Sequence, residues 1–148
     1  MNFITKSFSE LNTTELYNIL QLRSEVFVVE QDCVYQDVDY KDQKSLHIFG
    51  KINNQIIAYT RIFKPGDYFK KASIGRVVVV KNERSSGYGV DLIKASIKAI
   101  KDNFKVDDIT ISAQVYLQKF YESHNFKKVG EAYLEDGIPH IRMDKTAS

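Results

Sequence analysis

The chain has almost no cysteine. One residue of 148, Cys33, is a thiol. That excludes an intramolecular disulfide and any zinc site built on several thiolates. Proline is nearly as scarce, with only Pro65 and Pro139. There is no linker rich in proline, glycine or serine, no internal repeat and no low-complexity tract. No uninterrupted apolar run exceeds the four valines Val77 to Val80, far short of the roughly 20 apolar residues a membrane helix needs. The opening Met1-Asn2-Phe3-Ile4-Thr5-Lys6 lacks the apolar core of a secretory signal. A reducing, cytoplasmic setting without a membrane partner is therefore expected. An excess of one charge is also missing: 21 basic side chains face 19 acidic ones, a net charge of +2. Phosphate-binding surfaces ordinarily show a basic excess. With no RNP-type aromatic strand motif either, nucleic acid is not the expected partner.

What remains is ordinary for a globular protein: 43% apolar and 27% charged residues. The length suits one domain over residues 1–148, with a loose tail at 146–148. Phe3 to Phe8 reads as a first strand. Asn12-Thr13-Thr14-Glu15 has the form of a helix start, with Asn12 as the N-cap and Glu15 three positions on. Leu16, Ile19, Leu20, Val26 and Phe27 follow at helical spacing. Leu46 to Lys51 and Ile56 to Phe63 read as strands around a turn at Asn53-Asn54. Ser73 to Val80 is a third, and its valine run predicts burial on both faces. Val90 to Phe104 is a helix with Ile93, Ile97, Ile100 and Phe104 on one stripe. Asp108 to Ala113 is a strand, and Val115 to His124 a short helix ended by a left-handed Asn125. A hairpin, Lys128 to Leu134 and Ile138 to Asp144, turns at Glu135-Asp136-Gly137. The order β-α-β-β-β-α-β-α-β-β predicts a mixed α/β domain.

The most informative segment runs from Val77 through Lys81-Asn82-Glu83-Arg84-Ser85-Ser86-Gly87-Tyr88-Gly89-Val90. A strand enters a turn with two glycines, and the turn opens a helix. The first N–H groups of a helix have no internal partner and lie at the positive end of its dipole. Glycine lets a ligand approach such a backbone closely. The result is an anion site suited to phosphate oxygens, with Arg84 able to add a full charge. The spacing is not G-x-x-x-x-G-K-[ST], which argues against a P-loop. The third glycine of the dinucleotide fingerprint is missing as well. Taken alone, the glycines could simply turn the chain.

Arg84-Ser85-Ser86-Gly87-Tyr88-Gly89 is followed about 30 residues later by Phe120-Tyr121-Glu122-Ser123-His124-Asn125-Phe126. This pair resembles the R/Q-x-x-G-x-G/A and F-Y-x-x-x-G-F motifs of the GNAT-type N-acetyltransferases, with Asn125 in place of the usual glycine. Leu22-Arg23-Ser24-Glu25-Val26-Phe27-Val28-Val29-Glu30-Gln31, Ile74-Gly75-Arg76-Val77 and Glu135-Asp136-Gly137-Ile138-Pro139-His140 are similar to segments of the ElaA-like branch. The resemblance covers nearly the whole chain. It implies a mixed, mostly antiparallel, twisted sheet flanked by helices, with strands splayed at the centre to admit CoA. It further implies that acetyl-CoA is the cosubstrate, that no metal is needed, and that a primary amine on a small molecule or peptide is the acceptor. Monomer and homodimer both stay open.

By position, the resemblance implies that Val77, Val78 and Val79 offer main-chain groups to the pantetheine arm and thioester. Arg84, Ser85, Ser86, Gly87, Tyr88, Gly89 and Val90 would surround the diphosphate. Gln114 would contact the pantetheine. Tyr121 would face the CoA sulfur as general acid, a role a phenol with a pKa near 10 can fill for a thiolate with a pKa near 8.5. Otherwise Tyr121 is a half-buried aromatic that exposes its hydroxyl.

The base is harder to place. An alkyl ammonium with a pKa near 10.4 is only about 1 part in 2500 neutral at pH 7, a handicap of roughly 4.6 kcal/mol. Many relatives use a glutamate on a central strand, yet Ile74 to Val79 and Ile109 to Ser112 hold no acid. Glu30, His140 or a water chain remain as bases or acceptor contacts, and His140 could equally pack beside Pro139. Arg23 and Glu30 stand seven apart, on one face of a regular helix. Arg23 falls within the apolar stripe, so it either pairs with an acid such as Glu25 or Glu30 or lines the acceptor pocket. Nothing in their spacing makes Cys33 and His47 a nucleophile and base, and His47, His124 and His140 are too scattered for a metal. A non-catalytic acyl-CoA binding or sensing module on the same scaffold is the alternative function, motivated by the missing strand acid.

Overall fold

The computed structural model describes residues 1–146. Its elements are β1 (Phe3–Ser7), α1 (Thr13–Arg23), β2 (Leu46–Ile52), β3 (Gln55–Phe63), β4 (Ser73–Val79), α2 (Tyr88–Phe104), β5 (Ile109–Gln114), α3 (Gln118–Glu122), β6 (Lys127–Glu135) and β7 (Ile138–Lys145). This is the order that the hydrophobic pattern predicts. Of the expected tail, Thr146 is exposed and outside any element, while residues 147 and 148 lie outside the described residues.

Local chemistry accounts for the boundaries. Asn12 caps α1 through its side chain, which accepts from the Glu15 amide at 2.7 Å, and Glu15 answers by accepting from the Asn12 amide at 3.0 Å. Such a reciprocal pair satisfies two orphan donors. Asn53 and Asn54 take positive φ between β2 and β3, and Asp136 and Gly137 do so between β6 and β7, as tight hairpins require. Asn125 ends the α3 segment at φ 71°. Helix α2 begins at Tyr88 rather than Val90, because Gly87 in the left-handed region turns the chain directly into it. The expected helix over 115–124 is a 3₁₀ turn, Val115–Leu117, followed by α3.

The strands form two antiparallel sheets, β1-β2-β3-β4 and β5-β7-β6. Strands β4 and β5 run parallel and meet only at one end, through a bridge between Ala72 and Ile109; the Thr110 amide donates to the Ala72 carbonyl there at 2.8 Å. Beyond it they part. Helix α2 covers one face of the sheets, where Leu92, Ile93 and Ile100 are fully buried with Ile62, Ile109 and Met143. Each such side chain contributes about 1.5–3 kcal/mol of burial. Ile97 and Phe104 of the predicted stripe are partly buried at its margin. Helix α1 covers the other face, with Ile19, Leu22 and Phe27 against Phe49, Tyr59 and Val78.

Two features depart from the pattern. Past Arg23, α1 widens into a π-helical segment, Ser24–Glu30, with i→i+5 bonds such as Gln31 amide to Val26 carbonyl at 3.2 Å. The regular α period therefore stops at Arg23, and Glu30 does not share its face. Strand β4 is also not buried on both sides: Val78 is buried, but Val77, Val79 and Val80 are only half-buried. Of these, Val77 lines the opening where the two sheets separate.

Candidate active site

The parting of β4 and β5 opens a cavity of about 120 Å³. Ile74 to Val77 form one wall, Ile111 to Gln114 the other, and the π-helical segment and the β6–β7 hairpin close its ends. A bulge shapes the first wall. Arg61 pairs with Gly75 and Tyr59 with Val78, so Arg76 and Val77 face the single residue Thr60. Arg76 takes φ 51° there, which is strained for a residue with a Cβ. The bulge ends regular pairing beside the cavity.

Of the residues singled out by sequence, Val77, Gln114, Tyr121 and His140 line this one cavity. Tyr121 is 5% exposed, with its ring against Phe120 and Phe126. Burial holds its phenol well above the ordinary value, with no hydrogen bond to offset the effect. The group therefore stays protonated throughout the neutral range. Gln114 and His140 are direct cross-strand partners.

The hairpin adds residues that the sequence reading did not select. Ser112 Oγ donates to Glu135 Oε1 at 3.1 Å and contacts the Tyr133 hydroxyl. Glu135 Oε2 lies 3.4 Å from His140 Nε2, and His140 Nδ1 lies 2.7 Å from the Ile138 carbonyl. The Tyr133 ring stacks on the imidazole at 6.3 Å. A signal for Ser112 was present: it shares a strand face with Gln114, two residues on. For Glu135 the signal was only its place in the hairpin segment Glu135 to His140, because its contacts depend on the register of β6 against β7 and β5.

The glycine turn lies at the other end of β4, outside the cavity lining. Ser85, Ser86 and Gly87 are exposed, and no side chain caps α2. Its first amides are thus free for an anion. A Cβ on Gly87 would meet no heavy atom within 4 Å, and on Gly89 only Phe120 Cζ at 3.8 Å. The chain leaves open space over this turn, which fits a diphosphate. Arg84 is engaged: its Nε donates to the Val79 carbonyl at 2.9 Å, and its terminal nitrogens pair with Glu30 at 2.5 and 3.0 Å. Glu30 is consequently drawn to Arg84, does not line the cavity, and has its carboxyl held below the usual range by that hydrogen bond. A carboxylate so held is a weak base.

Arg23 does not line the cavity and pairs with neither Glu25 nor Glu30. It is fully buried, with Nε on Asp37 at 2.8 Å and a terminal nitrogen on Asp42 at 2.7 Å. The expected partner was wrong because the loop after Glu30 folds back over α1. Arg61 joins the cluster through Asp39 and Asp42, and Arg76 through Asp37. Three arginines thus meet three aspartates, and the pairs hold the loop beside the cavity. Burial alone would raise the carboxyl of Asp42, but the hydrogen bonds and charges of Arg23 and Arg61 overcome it and lower it. Asp39 is lowered in the same way.

Asp42→Asn is expected to cost about 3–5 kcal/mol, since it leaves two buried guanidinium groups underpaired. Depressed carboxyls stabilise the fold fully above their unfolded pKa of about 4 and progressively less as pH falls below it. Thermal melts from pH 6 to pH 2 should therefore show a steep acid loss in the wild type, and a shallower one in Asp42→Asn.

Cys33 donates to the Asp136 carbonyl at 3.1 Å, whereas buried His47 contacts the Asp42 carbonyl at 2.9 Å, so the two stand apart. Among the described residues no cluster of three or more His, Cys, Asp or Glu could hold a metal, and no helix is long and apolar enough to cross a membrane.

Two antiparallel sheets flanked by helices, parted around a cavity between β4 and β5, with an uncapped helix start beyond the end of β4, define a GNAT-type acyltransferase. The chain belongs to the Acetyltransferase (GNAT) domain family, which it matches over residues 9–147. Protein ElaA of Escherichia coli is 42% identical over 137 residues, 91% of this chain and 90% of that protein. The ElaA crystal structure aligns with a TM-score of 0.90 at 39% identity, over 97% of this chain and 98% of that one. A UPF0039 protein of Schizosaccharomyces pombe is 41% identical over 145 residues, 97% of this chain and 95% of that protein. The crystal structure of an acyl-CoA N-acyltransferase from Pseudomonas aeruginosa aligns with a TM-score of 0.93 at 38% identity, over 98% of this chain and 99% of that one.

Proposed function

We propose that the protein is a cytoplasmic N-acetyltransferase that transfers the acetyl group of acetyl-CoA to a primary amine, by direct attack in a ternary complex. The observation that carries this reading is the meeting of Tyr121 and His140 in one cavity between β4 and β5. A proton donor and a proton acceptor then flank the same reaction space.

In this reading the amides from Ser85 to Val90 hold the diphosphate, and Arg84 exchanges Glu30 for it. Val77 and Val78 offer main-chain groups to the pantetheine and the thioester oxygen, where backbone donors stabilise the oxyanion. The Val79 carbonyl becomes available when Arg84 moves, and Gln114 contacts the pantetheine from β5. His140 takes the proton that the ammonium must lose before its nitrogen can attack. The C–N bond forms and the C–S bond breaks. Tyr121 protonates the departing sulfur and recovers its proton from the nitrogen of the intermediate, so the net release is one proton.

The test is free-thiol release from acetyl-CoA across a panel of primary amines, alongside acetyl-CoA binding by calorimetry. Saturable release with at least one amine is expected. Tight binding with no release by any amine would make the protein an acyl-CoA sensor instead.

A further inference from the structure

His140 and Glu135 face each other across 3.4 Å. Nδ1 of His140 lies 2.7 Å from the Ile138 carbonyl. A carbonyl only accepts, so Nδ1 carries a hydrogen, and in the neutral form of the ring Nε2 is an acceptor. That acceptor stands 3.4 Å from Glu135 Oε2, a second acceptor when the carboxyl is ionised. Two acceptors at this separation need a donor between or beside them. Ser112 satisfies the other carboxylate oxygen, Oε1, at 3.1 Å. Both Glu135 and His140 line the cavity.

The charge closest to this pair is one-sided. Arg61 and Arg76 also line the cavity, but each is already paired with aspartates. Arg61 Nε has no partner, yet it is closed off from solvent. Glu135 and Asp136 at the hairpin meet no arginine or lysine within ion-pair distance among the described residues. The wall also carries Tyr35, Tyr68 and Phe69, the last two with rings stacked 4.8 Å apart; Lys41 stands over the Tyr68 ring at 5.8 Å and Arg142 over the Phe69 ring at 4.6 Å, farther from the pair.

We propose that Glu135 and His140 form the seat of the acceptor's ammonium group, and that the acceptor is a monocationic amine on an apolar or aromatic body, without a carboxylate beside the amine. This rests on the acetyltransferase reading and names its second substrate. The ammonium donates to Glu135 Oε2 and to His140 Nε2, and the proton on the second bond passes to the imidazole. Glu135 holds the substrate and steadies the imidazolium; the free amine is left facing the acetyl group. A carboxylate next to the amine would meet Glu135 and Asp136 first.

Tyramine and tyrosine are the probes, since they differ by one carboxylate. Binding is read by nitrogen-15 NMR of the His140 ring in the full chain, and turnover by thiol release. Tyramine should perturb Nε2 and tyrosine should not. Glu135→Gln should weaken tyramine at least tenfold, about the worth of one charge-assisted hydrogen bond. Its effect should fall on KM for the amine more than on kcat, with Glu135→Asp partly restoring binding and acetyl-CoA affinity unchanged. Equal binding of tyrosine, no response of Nε2 to tyramine, or a Glu135→Gln variant that binds tyramine normally would each overturn the proposal. Loss of acetyl-CoA binding by the wild type would instead overturn the acetyltransferase reading, and the NMR titration would still decide the ammonium seat.

Discussion

Gly87→Val is expected to lower acetyl-CoA affinity by at least 100-fold, about 2.7 kcal/mol, and to leave the protein folded. Gly87 sits at φ 79°, and a Cβ there meets no atom of the protein within 4 Å. The fold itself therefore has room for a side chain. It pays only for the left-handed backbone, about 1–2 kcal/mol for a residue with a Cβ, a loss of a few degrees in Tm for a chain of this size. A ligand lying on the amides of Ser86 to Gly89 has no such room. The branched side chain stands over the cradle and pulls the turn toward another conformation. Gly87→Asn separates the two effects, because asparagine tolerates the left-handed region but still fills the space. It should melt close to the wild type and still bind acetyl-CoA poorly. Calorimetric titration with thermal melts measures both quantities. Unchanged affinity in the valine variant would mean that the diphosphate is held elsewhere.

Tyr121→Phe is expected to reduce kcat by about 10²–10⁴-fold, the usual worth of a positioned general acid, while acetyl-CoA affinity moves little. The reason is the division of labour within the side chain. The ring packs against Phe120 and Phe126 at 5.2 and 5.9 Å between centroids, and phenylalanine preserves that packing. Only the hydroxyl is lost. Burial keeps that hydroxyl protonated well above the ordinary tyrosine range, so its ionisation should not limit the wild-type rate up to about pH 10. Steady-state kinetics and equilibrium binding on the same preparations decide the matter. Equal losses in turnover and affinity would make Tyr121 a packing residue.

Local chemistry was readable wherever a few neighbouring residues decide it. The Asn12 cap, the asparagine turn between β2 and β3, the left-handed Asn125 and the β6–β7 hairpin each depend on about four consecutive residues. The strand–glycine turn–helix could be seen for the same reason, and with it the free amides of α2. Expectations failed where the decision was made at a distance. The valine run of β4 suggested a strand covered on both sides, but periodicity cannot show that its neighbour β5 pairs at one end only. The seven-residue spacing of Arg23 and Glu30 assumed a uniform α period, and the π-helical turns from Ser24 to Glu30 removed it.

The sequence by itself determined the order of elements, the glycine turn that opens α2 and the likeness to an acetyltransferase, because these rest on short-range backbone preferences and on motifs that are contiguous in the chain. Only the tertiary structure decided which charges meet. It sent Arg23 to Asp37 and Asp42, tied Glu30 to Arg84, and brought Ser112, Glu135 and His140 from three strands to one end of the cavity. Electrostatic partnership falls off within a few ångströms whatever the separation in sequence. It is set by sheet register and by the path of the loop after Glu30, and neither is written in any short stretch of residues.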